Sequence, residues 1–321
     1  MAVTVGATTG DRAELRLKGI KMRRLFPVML LAVLPGCAAP QPVRAAPQET
    51  DVAGDADPAL FEVSDEDTRI YLFGTIHILT GSEGWFDEAV RDAFEASDEL
   101  VIETLEPTRE ELSQTMMLGV DPAGKPLSRT ISPDSYALLS DELVEAGVDP
   151  AAFEPLDPWL VAINLAGIQY QKLGMTPDAG AERRLIAAAE ERGMPVSGLE
   201  TLDYQFRLFD DLPEEHQVEF LEQSIEQLDD AESFIGRMTE AWASGDTAAL
   251  SDVLNEELED DPVLYARLIT DRNRNWAAWI EERLDEPGTV FVAVGAGHLG
   301  GEGSVQSELE KRGISVTRID Y

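Results

Sequence analysis

The sequence predicts an α/β fold: a mixed central sheet with flanking helices and a long helical insertion. Three observations carry this. Apolar runs suited to buried strands stand near both ends of residues 59–321. The first and last of these ends alternate strand and helix patterns, as a layered α/β domain requires. Between them, Pro213 to Glu286 carries almost only helical periodicity.

Phe61-Glu62-Val63-Ser64 and Arg69-Ile70-Tyr71-Leu72-Phe73-Gly74 predict a hairpin, with Asp65-Glu66-Asp67 as its turn. The second run is rich in large apolar residues, as expected of a strand buried on both faces. From Trp85 to Ala96, the residues Phe86, Ala89, Val90, Ala93 and Phe94 fall at helical spacing. Glu99-Leu100-Val101-Ile102 is the next strand, so the order argues for a βαβ unit. Pro133 can open a helix to Glu145, stopped at Gly147. Trp159 to Leu173 reads as a core helix ending at Gly174, and Gly180 to Arg192 as another capped by Gly193. Pro195 to Leu199 is a short strand. The helical stretch from Pro213 breaks near Gly245-Asp246 and Asp260-Asp261-Pro262. Thr289 to Val294 is a clear strand, Ser304 to Arg312 a helix, and Ile314 to Ile319 a last strand. No low-complexity tract or linker interrupts this region, so 59–321 reads as one domain.

Charge narrows the partners. The chain has 321 residues, 25 Lys+Arg and 62 Asp+Glu, for a net charge of −37. Nucleic acid needs clustered cations to displace its counterions, so it is excluded as the main partner. At 44% hydrophobic residues, the acidity does not imply disorder.

The N-terminus reads as an export signal. Met22-Arg23-Arg24 precedes an apolar run, Leu25 to Leu34, too short to span a bilayer as a helix. The residues before Met22 read as an upstream extension, with Met22 as the natural start. Leu34-Pro35-Gly36-Cys37 resembles a bacterial lipoprotein box, which makes residues 1–36 the signal and Cys37, the single cysteine, the lipidated N-terminus. Cleavage after Val43-Arg44-Ala45 is the alternative and gives a soluble periplasmic protein. Residues 37–58, poor in large apolar side chains, read as a flexible tether. The expected location is periplasmic, anchored in the outer membrane by lipid. Loss of residues 1–36 removes six basic and two acidic groups and moves the net charge to about −41.

The chain has three histidines. Two share one local grammar, a buried strand followed by Gly-x-x-His: Gly74-Thr75-Ile76-His77 and Gly295-Ala296-Gly297-His298. Each glycine permits a sharp turn at a strand's carboxyl end. Each histidine then reaches the crevice where open α/β sheets hold ligands. Glu103 closes the Val101-Ile102 strand at the same edge, and a carboxylate there must be solvated, paired or metal-bound. Two imidazoles with a carboxylate form a common divalent-metal set. Hydrogen-bonded residues of βα turns are the alternative. His216, among acids in a helix's first turn, reads as a surface residue.

The paired Gly-x-x-His motifs, with Glu103 closing an early strand, resemble the TraB/GumN family. The resemblance extends through Leu156-Asp157-Pro158-Trp159, Gly198-Leu199-Glu200-Thr201, Asp271-Arg272-Asn273-Arg274-Asn275-Trp276 and the segment around His298. It covers nearly all of 60–320. That family is related to the Tiki metalloproteases and, more distantly, to erythromycin esterases and ChaN-like haem-binding lipoproteins. The resemblance implies an EreA/ChaN-like fold and a Tiki-like peptidase acting on peptide or protein with a divalent cation, manganese, cobalt or zinc. It implies His77, Glu103 and His298 as the essential set. Glu200 follows a short strand and is a candidate second carboxylate ligand, a partner of a ligand, or an acid at a helix start. Arg272 and Asn273 are candidates to orient Glu103 or to stabilise an oxyanion, or else to hold the helical insertion by an ion pair. Trp159, Trp276 and Trp279 read as core packing. A non-catalytic lipoprotein that binds haem or another ligand, or serves surface assembly, is the competing class. No Gly-x-Ser-x-Gly elbow is present, and the one cysteine belongs to the leader, so a Ser or Cys nucleophile is unsupported.

Overall fold

A computed structural model describes residues 54–255 and 261–320. The leader, Met22, Cys37 and the alternative cleavage site lie outside the described residues. The strands are β1 (Gly54–Asp55), β2 (Leu60–Ser64), β3 (Thr68–Thr75), β4 (Glu83–Gly84), β5 (Glu99–Thr104), β6 (Val196–Glu200), β7 (Gly288–Gly295) and β8 (Thr317–Ile319). Six of them form one mixed sheet in the order β6-β5-β7-β3-β2-β8, and β1 pairs with β4 apart from it. β6, β5, β7 and β3 run parallel, while β2 is antiparallel to both β3 and β8. The fold is therefore α/β with a mixed sheet, as expected.

The central strands, β3 from Ile70, β5 from Leu100 and β7 from Val290, are buried on both faces because they are apolar at successive positions, not at alternate ones. Tyr71 and Phe73 of β3 join Phe291 and Ala293 of β7, Leu100 and Ile102 of β5, Trp85 and Trp242 in one cluster. Ile70 and Leu72, with Val290, Val292 and Val294, pack on the other face against Trp276, Ile280 and Leu309. This is the period of two that a pleated strand imposes. A third cluster, around Trp159, Phe206, Phe209 and Phe220, lies wholly within the helical part.

The helical insertion comprises helices Glu214–Glu226, Ala231–Ala243, Thr247–Asn255, Pro262–Tyr265 and Asp271–Arg283, with breaks where Gly245 and Asp261-Pro262 stand. One π turn, Ala266–Thr270, leads into Asp271–Arg283, and such turns are frequent at functional sites. No helix among the described residues is long and apolar enough to cross a membrane.

Three details differ from the sequence reading. The tether does not extend to residue 58: β1 pairs with β4, Ala56 is buried, and the Asp57 N–H donates to the Ala243 carbonyl at 2.8 Å. Small residues and backbone bonds hold this segment, so composition alone misses it. The strand–helix–strand order of β3, Glu88–Ala96 and β5 skips one place in the sheet, because β7 inserts between the two strands. β7 buries Val290 to Val294 completely and so takes a central position. The last strand is short, Thr317–Ile319, on an edge.

Candidate active site

Parallel pairing places the two histidine motifs side by side. Gly74 lies opposite Val294 and Thr75 opposite Gly295. β5 and β6 end at the same edge with Glu103 and Glu200. Gly295 is the floor of the site. A Cβ there would stand 3.0 Å from Glu103 Oε1, 3.6 Å from His298 Cδ2 and 3.7 Å from His77 Nε2. The two histidines and Glu103 thus gather around one point, as the paired motifs predict.

Behind that point sits Arg272, fully buried on the helix that follows the π turn. Its Nη2 donates to Glu103 Oε2 at 2.6 Å and to Glu200 Oε2 at 2.8 Å. Nε donates to Glu200 at 3.0 Å, and Nη1 reaches the Leu268 carbonyl at 3.2 Å and His298 Nε2 at 3.0 Å. A guanidinium has five N–H donors and no acceptor, so all five are committed here. That fixes His298. Its Nε2 must accept from Arg272, so Nδ1 carries the proton and donates to Asn273 Oδ1 at 2.5 Å. Asn273 Nδ2 in turn donates to the Gly303 carbonyl at 2.8 Å, which orients the amide. Burial, then Arg272, lowers the pKa of His298 to about 3, so the ring is neutral.

Glu103 is buried, and burial alone would raise its pKa. The Arg272 guanidinium outweighs this, helped by the two histidines and the Gly295 N–H, which donates to Oε1 at 2.6 Å. The carboxyl is held at about 2 and stays ionised. Gln205, on the Leu202–Asp210 helix capped by Thr201, donates to both Glu103 and Glu200 at 3.0 Å. Trp276 donates to Glu200 Oε1 at 2.9 Å and packs its ring 4.4 Å from that of His298. Trp276 is core packing and also a donor to the site.

His77 stands apart from this network. Its Nδ1 lies 2.5 Å from Glu182 Oε1, and Thr75 Oγ1 donates to the same oxygen. Burial opposes charge on His77, but Glu182, with Glu103 behind it, raises its pKa to about 9. Nε2 takes no hydrogen bond among the described residues. The ring lines a cleft of about 610 Å³, open mouth included, whose walls are largely apolar: Ile102, Leu105, Pro177, Ile186 and Leu202. Glu182 was not evident in the sequence. It reaches His77 because Gly180 lets the helix Ala181–Arg192 start directly against the histidine loop, where a Cβ would meet the His77 carbonyl oxygen at 2.1 Å. The Ala181 N–H donates to the Ile76 carbonyl at 3.0 Å. A glycine before an acidic first helical turn is the only sequence signal of it.

The chain matches the TraB/PrgY/gumN family model over residues 59–318. It belongs to that family. The uncharacterized protein YbaP of Escherichia coli (strain K12) is 26% identical over 241 residues, covering 75% of this chain and 88% of that protein. YbaP of Shigella flexneri is 26% identical over 239 residues, 74% of this chain and 87% of its own length. No solved structure matches.

The metal implied by the family resemblance can be tested on the donors. Both nitrogens of His298 are engaged, and every bond of the Glu200 carboxylate goes to Arg272, Gln205 or Trp276. That leaves His77 Nε2 and one face of Glu103, beside a buried guanidinium that repels a cation. Among the described residues no group of three or more His, Cys, Asp or Glu side chains is arranged to hold a metal ion. The set His77, Glu103, Glu200 and His298 therefore does not fit a divalent cation: Arg272 fills the position of the positive charge. Of the roles the sequence offers Arg272 and Asn273, the contacts made here are an orienting bond to Glu103 and an ion pair with Glu200 for Arg272, and a bond to His298 for Asn273. Both are wholly buried with their polar atoms committed to the protein, Arg272 against Glu103, Glu200 and His298 and Asn273 against His298 and Gly303. His216 pairs with Asp261 at 3.1 Å, remote from the site in sequence and in the ion pairs it makes.

Proposed function

We propose that this chain is an exported hydrolase of peptide or related carbonyl bonds, working through a His77–Glu182 pair and an ionised Glu103. The observation that carries this is the setting of His77: Nδ1 is tied to a carboxylate, Nε2 lies toward Gly295 and Glu103, and the ring borders a largely apolar cleft. A carboxylate behind an imidazole fixes its tautomer and stabilises the imidazolium, the logic of hydrolytic dyads and triads.

In the neutral imidazole, Nδ1–H donates to Glu182 and Nε2 takes a proton from water. The hydroxide adds to the substrate carbonyl carbon, and Nε2–H then passes its proton to the leaving nitrogen or oxygen. Glu103 orients the water as an acceptor and balances the imidazolium that forms. It is too acidic, at about 2, to be the base itself. Arg272 supplies a fixed charge that keeps Glu103 ionised. The arrangement needs no metal ion, and the metal-dependent reading needs Arg272 to leave His298 and Glu200.

The test is peptide hydrolysis by purified protein. His77→Ala and Glu182→Gln are expected to lower kcat/KM by about 10²–10⁴-fold, the usual worth of acid–base catalysis. The neutral base is scarce at neutral pH, so the rate is expected to rise with pH to an inflection near 9, and Glu182→Gln to move that inflection down. A flat profile, or full activity in His77→Ala, overturns the proposal.

A further inference from the structure

The cleft beside His77 holds a charge that the mechanism above leaves unused. Arg183 is the only lysine or arginine along it, one residue after Glu182 on the helix Ala181–Arg192. Its Nη1 pairs with Glu106 Oε1, just past the end of β5. Glu106 is half exposed, so water can take over its charge, and pairs of this kind hold weakly.

Arg183 Nε is buried and has no hydrogen-bond partner, the one such side-chain atom on this cleft among the described residues. A buried N–H without an acceptor is unfavourable, and folded proteins rarely leave one so. The acids of the cleft, by contrast, are already met. Arg272 and the Gly295 N–H hold Glu103, His77 and Thr75 hold Glu182, and Arg183 itself holds Glu106. The group that lacks a partner is thus a donor on a cation, and its complement is an anion. A guanidinium matches a carboxylate best, because its fork offers two parallel N–H groups to two oxygens.

Size sets a second limit. With the open mouth set aside, the cavity volume of the cleft is about 50 Å³. A single water needs about 10–15 Å³ on the same measure, so the cleft takes a group of a few heavy atoms. That is a chain end with a small side chain, not an internal stretch of peptide.

We propose that Arg183 binds the free carboxylate at the C-terminus of a peptide, taking it in exchange for Glu106. This rests on the hydrolase reading above and adds to it the substrate class. Arg183 and His77 border one small space, so the bond within reach of His77 is the one before the last residue. Water gives its hydroxyl to that carbonyl carbon and a proton to the leaving nitrogen. The products are a chain one residue shorter and a free amino acid. The net charge of −37 repels anions at long range, so the carboxylate arrives on an otherwise neutral or basic chain.

Three peptides test this: acetyl-trialanine, with a free carboxylate; its amide, blocked at both ends; and trialanine amide, with a free amine. Hydrolysis is followed by chromatography and binding by calorimetry, at about 0.15 M salt to screen the long-range field. The wild type is expected to favour acetyl-trialanine at least about tenfold in kcat/KM, through KM, the low end for a hydrogen-bonded charge. Free alanine is the expected product. Arg183→Met is expected to abolish the preference and Arg183→Lys to keep part of it. Glu106→Gln is expected to tighten binding of acetyl-trialanine, because the competing carboxylate is gone. Thermal melts check that each variant folds.

Equal binding of acetyl-trialanine and its amide, or binding of neither, overturns the carboxylate site. So does a preference that survives Arg183→Met, weaker binding in Glu106→Gln, or a preference for trialanine amide. Cleavage of all three peptides alike, unchanged in Arg183→Met, overturns the site and leaves the hydrolase reading intact. Tighter binding of acetyl-trialanine than of its amide, lost in Arg183→Met but without any cleavage, contradicts the hydrolase reading instead.

Discussion

Arg272 decides the character of the site. A buried guanidinium is tolerable only when its charge and its donors are met, and here two carboxylates, a carbonyl and an imidazole meet them. Removing it strands Glu103 and Glu200 in the interior. Arg272→Met is expected to cost about 3–5 kcal/mol in denaturant unfolding, the usual penalty for breaking a buried pair. Arg272→Lys keeps the charge but not the fork, so it should fall between wild type and Arg272→Met. The two histidines titrate in opposite senses. His298 has a folded pKa of about 3, below the ordinary 6.5, so its neutral form is favoured by folding. Its stabilising contribution is whole above pH 6.5 and is lost as pH falls toward 3. His77, raised to about 9, contributes fully below pH 6.5 and loses that contribution as pH rises through 9. Unfolding free energies against pH should therefore decline on both sides of neutrality. His298→Gln is expected to flatten the acid side and Glu182→Gln the alkaline side. Unchanged slopes in both variants would contradict these environments.

Among the elements, the helix Ala181–Arg192 matters most to function, since it brings Glu182 to His77. Its seat depends on Gly180, whose φ is ordinary, so space and not conformation demands glycine there. Gly180→Ala is expected to push the helix off the histidine loop, lower the His77 pKa toward 6.5 and cut activity, read by NMR titration of the imidazole. A His77 pKa still near 9 would show that the helix start is more tolerant. The strands that carry the site were legible in the sequence. Ile70–Phe73 and Val290–Val294 are runs that only a doubly buried strand explains, and Gly-x-x-His marks where they end. Glu103 and Glu200 follow from the same logic of strand termini. Glu182 and Gln205 were not legible, because each is an ordinary helical polar residue whose role comes from a tertiary approach. The sequence also suggests ligands where the structure has an ion-pair network. Residue types at a sheet edge do not reveal which lone pairs a distant arginine has already taken.

On the scale of the whole molecule, the net charge of −37 places few of its acids at the site: Glu103, Glu182 and Glu200 are met by Arg272 and His77. The remainder are mainly solvated, as like charges in such excess require. The proposed lipid anchor is tested by Cys37→Ser, which should move the protein from the membrane fraction to the soluble periplasm and remove the acyl mass from its N-terminus. An unchanged distribution would favour cleavage near Ala45. In place of the metal that the family resemblance implies, we propose a buried arginine and a histidine–carboxylate pair. The most direct test is the pH dependence of peptide hydrolysis by protein stripped with chelator. Activity that survives stripping and climbs to an inflection near pH 9 is the expected result. Activity abolished by stripping and restored by manganese, cobalt or zinc would contradict it.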